Sequence, residues 1–167
     1  REFEYDTEGK LISFTEEEMG QSLDRFLISY DSRGNIAQIK RQTKPPGGTS
    51  FMEAWTKTYT YDDKNNPGYT IHNSMGLSEN TSLFYTYEMK GVHFFGNYVF
   101  FMIVHHSPNN LLSHSYSTNS GVYFDFSYEY VYNEEGYPIS LEETQNLSDG
   151  STQKYYYSWE YETFVGD

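Results

Sequence analysis

The sequence predicts an all-β protein built as an antiparallel meander of β-hairpins, and three observations lead to this prediction. Aromatic residues make up 19% of the 167 residues, with 18 Tyr and 12 Phe, although the total hydrophobic content is only 37%. Tyr and Phe favour half-buried, pleated surfaces. A turn-forming phrase occurs four times, and apolar residues alternate with polar ones on both sides of most copies. We therefore expect roughly eight to ten strands, in a single domain that covers residues 1–167 because no linker-like stretch divides the chain.

The repeated phrase is a Tyr, then Asp or Asn, two variable residues, and Gly or Asn. A type I turn followed by a left-handed residue suits this phrase, because Gly adopts that conformation without strain and Asn is the next best residue. The leading Asp or Asn can accept hydrogen bonds from backbone N–H groups two residues on. The phrase predicts four hairpin turns, which begin at Asp6, Asp31, Asp62 and Asn133 and end at Gly9, Gly34, Asn65 and Gly136 respectively.

Alternation of period two predicts the strands in order. Phe26, Ile28 and Tyr30 share a face before the second turn, and Trp55, Tyr59 and Tyr61 share a face before the third. The clearest strand leads into the last turn, where every second residue from 122 to 132 is Val, Phe or Tyr. A turn at residues 149–150 then leads into a final alternating row, formed by Tyr155, Tyr157, Trp159 and Tyr161. These strands are joined by tight turns, as in a meander.

The middle of the chain and the closure of the sheet are less determined. Residues 70–80 contain no period, Leu83, Tyr85 and Tyr87 fit a further strand, and segment 94–104 is apolar on all sides. Either a short buried helix or a buried strand fits that segment, and the helix is slightly favoured. Because exposed sheet edges promote aggregation, we expect a strongly curved sheet or a partial or closed barrel. An outer-membrane barrel is less favoured, since the residues that alternate with the aromatic ones are mainly Thr, Ser, Glu and Lys.

Charge and composition exclude several classes of function. Lys and Arg number 11 against 24 Asp and Glu, which gives a net charge of -13. Such a chain repels a phosphate backbone, so we expect no nucleic-acid partner. A solvated acidic surface is the favoured interpretation, and a basic partner is the alternative. Cysteine is absent, which rules out disulfides and thiolate metal sites within this span. The longest apolar run, residues 98–104, is too short to cross a bilayer as a helix.

No motif predicts catalysis, a metal or a cofactor. HExxH, GxSxG and phosphate-binding glycine loops are missing. The acidic stretch at residues 62–66 lacks the EF-hand spacing, because its third position is Lys64. A metal site that combines His106, His114 and a distant Glu is an alternative, but ordinary loop or surface histidines are favoured. We therefore predict no catalytic residues, no metal, no cofactor and no enzymatic activity.

The aromatic rows are the sequence feature with functional potential. Tyr and Trp stack on sugar rings and on amphipathic ligands, so an exposed row would provide a binding platform. The candidate ligand-binding residues are Trp55, Tyr155, Tyr157, Trp159 and Tyr161. The alternative, which we favour, is that these rings form the core, since a sheet with few Leu and Val must bury other apolar groups.

Two sets of residues resemble known families. The Tyr-Asp-x-x-Gly unit resembles the YD, or Rhs-type, hairpin repeats of large bacterial secreted shells. A longer set resembles the Bacteroides-type envelope lipoproteins, a family of domains of unknown function with a porin-like β fold. It comprises YDDKNNP at 61–67, SPNNLLSHSYS at 107–117 and YEYVYNEEGYPISL at 128–141. This resemblance implies a secreted, periplasm-facing or surface protein, whose membrane association would depend on a lipid anchor absent from this chain.

Three functional hypotheses follow. The leading one is a non-catalytic cell-envelope module, secreted or surface-anchored, that is structural or binds a protein partner. The second is a glycan-binding module that uses the aromatic rows. The third and least favoured is a hydrolase, which would need an inward cluster of Glu, Asp or His that the alternation does not indicate.

Overall fold

The computed structural model describes residues 2–17, 22–66, 107–121 and 123–161. These residues form nine strands: β1 (Glu2–Tyr5), β2 (Leu11–Glu17), β3 (Leu23–Tyr30), β4 (Ile36–Lys44), β5 (Met52–Asn65), β6 (Asn109–Thr118), β7 (Tyr123–Tyr132), β8 (Pro138–Asn146) and β9 (Thr152–Ser158). All nine belong to one sheet in chain order, and every neighbouring pair is antiparallel. The predicted all-β antiparallel meander is confirmed.

The sheet is open in the part of the chain that the structure describes. There β1 pairs with β2 alone and β9 with β8 alone, so the two end strands do not close a barrel. Of the predicted alternatives, the closed barrel is therefore not found in these ranges. The predicted strand at 83–87 and the predicted helix at 94–104 lie outside the described residues.

Three of the four repeated phrases form tight turns, between β1 and β2, β3 and β4, and β7 and β8. In the second, the Asp31 carboxylate accepts hydrogen bonds from the backbone N–H groups of Arg33 and Asn35, both at 2.9 Å. Gly34 closes the turn with φ of 89°, in the left-handed region that a Cβ would strain. Asp6 and Asn133 brace their turns in the same way.

The third phrase does not form a hairpin turn, which corrects the prediction for Asp62 and Asn65. Strand β5 continues through both residues, and Asn65 pairs with Asn109 of β6. The ladder between β5 and β6 shifts register after Tyr61, so the phrase forms an irregularity within a strand. Asp62 still accepts the N–H of Lys64 at 2.9 Å, as the turn would require, but it also accepts the N–H of Asn110 across the ladder at 3.0 Å. Pairing with β6 has replaced the turn.

The two faces of the sheet differ in chemistry. On the polar face, hydroxyls pair across β5 and β6: Thr58 with Ser115 at 2.6 Å, and Thr60 with Ser113 at 2.7 Å. The opposite face, called the aromatic face below, carries the buried apolar core. Its buried members are Leu11, Phe14, Phe26, Ile28, Ile36, Ile39, Trp55, Tyr59, Tyr61, Leu111 and Tyr128. The period-two alternation therefore separates a hydrophobic surface from a solvated one, as predicted.

A series of ring contacts crosses the aromatic face from strand to strand. Phe14 stacks on Phe26 with centroids 4.5 Å apart, and Phe26 meets Trp55 edge-on at 6.0 Å. Trp55 in turn lies 5.8 Å from Tyr116, which lies 5.9 Å from Phe124. Such pairs stabilise by about 0.5–1.5 kcal/mol each beyond their buried area. The rings thus connect β2 to β7 across one surface.

Candidate functional site

The aromatic residues predicted as a binding platform occupy two separate places. Trp55 lies in the core and is 9% exposed. The other four, at the β9 edge of the sheet, are 40–46% exposed: Tyr155, Tyr157, Trp159 and Tyr161. The two places are separated by β6, β7 and β8. The register places Tyr155 and Tyr157 on the same face of the sheet as Trp55, but the three intervening strands keep them from forming one site with it.

A cavity of about 480 Å³ opens on the aromatic face beside Trp55. It lies toward the end of the sheet that carries the β4–β5, β6–β7 and β8–β9 connections. Its walls come from β4 to β7 and from the start of the β8–β9 connection: Arg41, Trp55, Lys57, His114, Tyr116, Phe124, Phe126 and Leu147. The volume is within the roughly 300–1,000 Å³ typical of small-molecule sites, and the mixture of aromatic walls with a few polar groups is also typical.

Lys57 is the central charged group of this cavity. Its ammonium lies 5.3 Å from the ring centroid of Trp55 and 5.5 Å from that of Tyr116, in cation–π contact with both. No Asp or Glu among the described residues forms an ion pair with it. Burial lowers the pKa of Lys57 from its ordinary value of 10.5. The cavity thus holds a cation whose described neighbours are rings and not carboxylates.

Arg41 contributes much less net charge to the cavity because it is paired. Its Nη2 lies 2.6 Å from the Oδ2 of Asp24, a carboxylate that is 2% exposed. The Thr43 hydroxyl donates to the other oxygen of Asp24 at 2.7 Å. Arg41 pairs in register with both Phe26 and Trp55, so it lies on the same face of the sheet as those rings, on the strand between them. The pair forms a neutral, hydrogen-bonded wall.

His114 forms the third polar wall and is neutral at physiological pH. Its ring stacks on Phe126 with centroids 4.1 Å apart, and its Nδ1 lies 3.2 Å from the hydroxyl of Tyr128. Burial and the nearby positive charge of Lys57 lower the pKa of His114 to about 4. A neutral imidazole can donate or accept one hydrogen bond at each nitrogen, so His114 can orient a hydroxyl-bearing ligand.

The acidic stretch around Asp62 is accounted for by contacts within the protein. Its carboxylate accepts the side-chain amide of Asn110 at 3.3 Å, the Tyr132 hydroxyl and two backbone N–H groups. Burial and the charge of Asp62 raise the pKa of Tyr132. Within the ranges described, no group of three or more His, Asp or Glu side chains is placed to hold a metal ion.

Sequence reasoning missed Arg41, Lys57 and His114 as members of one site. A signal was present, because Lys57 and His114 occupy positions in aromatic alternations: Trp55, Lys57 and Tyr59 on β5, and His114 followed by Tyr116 on β6. A fully buried charge needs a partner, so a charged residue in an aromatic row is a sign of a candidate site. The sequence does not show that β5 and β6 are neighbours, because residues 66–108 lie between them.

In the described ranges the chain is an all-β protein, an open antiparallel meander whose aromatic face carries a cavity. No family model matches the chain, and no curated protein matches it. Among solved structures it is similar to a porin-like protein from Bacteroides uniformis, with 16% identity over 89% of this chain and a TM-score of 0.36. The chain spans 63% of the length of that protein. A likeness this weak carries no functional argument, so function is inferred from the cavity.

No helix in the described ranges is long and apolar enough to span a membrane.

Proposed function

We propose that the chain is a non-catalytic glycan-binding module of the bacterial cell envelope, and that the cavity on its aromatic face holds the sugar. The observation that carries this proposal is the combination of aromatic walls and neutral or cationic hydrogen-bond donors in a space of about 480 Å³. Pyranose rings have an apolar face that packs on Trp or Tyr and a rim of hydroxyls that needs polar partners. The sequence resemblance described above supports the envelope location.

The walls supply both kinds of contact that a sugar needs. Trp55, Tyr116 and Phe124 provide adjoining ring surfaces, with neighbouring centroids 5.8 and 5.9 Å apart. His114, held by Phe126 and Tyr128, provides a positioned imidazole. Since these groups lie on strands and not on loops, their positions are largely set before a ligand arrives. Preorganisation of this kind reduces the entropy lost on binding.

Single-tryptophan variants test the proposal. Trp159→Phe leaves Trp55 as the only tryptophan, and Trp55→Phe leaves only Trp159. Both variants are titrated with a panel of plant and host oligosaccharides while tryptophan emission is recorded. We expect one glycan class to change the emission of the Trp159→Phe variant, because its remaining indole lines the cavity. A response confined to the Trp55→Phe variant would move the site to the final aromatic row, and silence of both would refute glycan binding.

Non-catalytic action is tested separately. The purified chain is incubated with the oligosaccharides that bind, and the products are separated by chromatography. Unchanged glycans are expected. Cleavage at a rate above that of buffer would contradict the proposal and favour the hydrolase hypothesis.

A second candidate function is binding of a protein partner along β9. Every residue of that strand is exposed, and Tyr156 on one face is 70% exposed while Tyr155 and Tyr157 on the other are 41% and 46% exposed. Edge strands can accept an added strand from a partner through backbone hydrogen bonds. Replacing Tyr156 by Pro would remove a backbone donor from this edge. Loss of partner capture with that variant, without any glycan response in either single-tryptophan variant, would favour this function.

A further inference from the structure

We infer that the ligand of the aromatic cavity is an acidic sugar, whose ring carboxylate binds Lys57. This inference rests on the proposed glycan-binding function and specifies the ligand class. It is carried by the charge distribution of the cavity, where a lysine ammonium faces two aromatic rings without a carboxylate from the described residues beside it.

The placement of Lys57 is unusual for a purely structural residue. Lys57 is half-buried, so its ammonium gives up part of its hydration, and cation–π contacts with two rings replace only part of what a carboxylate partner would supply. The chain has 24 Asp and Glu residues that could supply a counterion, and the neighbouring Arg41 has one in Asp24. Lys57 differs from Arg41 in this respect although both line the same cavity. An anionic ligand would supply the missing counterion.

The number of charges favours one carboxylate over a polyanion. Asp24 offsets the charge of Arg41, and His114 is neutral, so the described walls present one uncompensated positive charge. The chain as a whole carries a net charge of -13, which repels highly charged ligands over long distances. A sugar with a single carboxylate matches both conditions. Its ring can pack on Trp55 or Tyr116 while the carboxylate at its edge meets the ammonium.

The cation–π geometry also fits a ligand that is ring-shaped. The ring centroids of Trp55 and Tyr116 are 5.8 Å apart, and the Lys57 ammonium lies within 5.5 Å of both. A carboxylated pyranose would contact a ring face and the ammonium at once. Neutral sugars would keep the stacking contact and lose the ionic one. Acidic and neutral sugars are therefore expected to differ in affinity within this one cavity.

Calorimetry with paired ligands tests the inference. The probes are methyl galactosiduronate and its methyl ester, and the methyl glycoside of N-acetylneuraminic acid and its methyl ester, so that each singly charged sugar has a neutral counterpart with the same ring. The two acidic probes separate uronic from nonulosonic acids as the source of the carboxylate. We expect the wild-type chain to bind one acidic probe at least about tenfold more tightly than its neutral counterpart. Equal affinity within both pairs would overturn the inference and leave glycan binding intact, whereas absence of all binding would overturn both.

Lys57→Met and Lys154→Met separate a local effect from a change of net charge. Both variants remove one positive charge, but Lys154 lies on β9 and pairs with Glu142, away from the cavity. We expect Lys57→Met to bring the acidic probe to the affinity of its neutral counterpart, while Lys154→Met keeps the preference. Thermal unfolding of both variants checks that they are folded. A preference that survives Lys57→Met in a folded protein would overturn the inference.

Discussion

Asn35 and Asn109 exchange two hydrogen bonds across 74 positions of the chain. The side-chain amide of Asn35 donates to the Oδ1 of Asn109 at 3.0 Å, and the backbone N–H of Asn109 donates to the Oδ1 of Asn35 at 3.0 Å. Asn35 also donates to Asp31 at 2.9 Å and is 0% exposed. One buried amide therefore joins the β3–β4 turn to the start of β6, and all its side-chain bonding groups are used.

Replacing Asn35 by Ala should lower the free energy of unfolding by about 1–3 kcal/mol, because the half-buried Asn109 would lose a partner for its backbone N–H and for its side-chain oxygen. Urea denaturation monitored by circular dichroism measures the loss. Ser32→Ala is the matched control, since Ser32 lies exposed in the same turn and should change stability by less than about 0.5 kcal/mol. Equal losses in the two variants would show that the exchanged bonds contribute little.

Two buried tyrosines provide a comparison of paired and unpaired hydroxyls. The Tyr61 hydroxyl donates to the carbonyl of Ile36 at 2.8 Å and accepts from Ser107 at 3.0 Å. The Tyr59 hydroxyl is buried with no hydrogen-bond partner in the described part of the chain. Tyr61→Phe should therefore destabilise the protein by about 1–2 kcal/mol, while Tyr59→Phe should be neutral or stabilise it by up to about 1 kcal/mol. Chemical denaturation measures both; a larger loss for Tyr59→Phe would contradict the prediction.

Stability should fall at mildly acidic pH because of His114. Its pKa in the folded state is about 4, below the ordinary value of 6.5, so the unfolded chain binds the proton more readily. The stabilisation is complete above pH 6.5 and is lost as the pH falls toward 4, which amounts to roughly 2 kcal/mol between pH 7 and 4.5. Denaturation curves at several pH values measure how steeply the free energy of unfolding changes with pH. His114→Phe, which keeps a ring against Phe126, should make the free energy of unfolding depend less on pH than in wild type. An unchanged pH dependence would contradict the attribution to His114.

The turn at Gly34 should be sensitive to a side chain for conformational reasons alone. Its φ is 89°, and a Cβ built there would have no atom within 4 Å. Gly34→Ala should therefore cost about 1–2 kcal/mol of backbone strain without any clash. Gly34→Asn should cost less, because Asn tolerates the left-handed region better. Thermal unfolding ranks the three proteins, and an Asn variant less stable than the Ala variant would refute this explanation.

Local patterns in the sequence predicted most of the fold. Turn chemistry depends on four or five adjacent residues, so Asp6, Asp31 and Asn133 could be interpreted without knowledge of the rest of the chain. Alternation likewise placed Phe26 and Tyr128 on a buried face. The phrase at Asp62 failed because its conformation depends on β6, a strand that begins more than forty positions later. The hydrogen bond from the Lys64 N–H to the Asp62 carboxylate is still present, but pairing with β6 keeps the backbone extended.

The candidate site could not be assembled from the sequence for a related reason. Arg41, Lys57 and His114 come from three different strands, and their common position follows from the strand order. Even the aromatic rows were ambiguous, because a ring in the core and a ring in a binding surface follow the same alternation. Trp55 is buried and lines a cavity, so the two interpretations apply to one residue.

The pairing of β5 with β6 has a consequence for how the chain folds. Every other neighbouring pair of strands is joined by a short connection, whereas residues 66–108 lie between these two. Hairpins form in about 1–10 μs, but the entropy cost of closing a loop grows with its length. Strands β1–β5 and strands β6–β9 therefore form two groups joined by short turns, and the two groups associate only through the pairing of β5 with β6. We therefore expect the pairing of β5 with β6, which includes Tyr61 and Asn109, to form more slowly than the hairpins on either side of it.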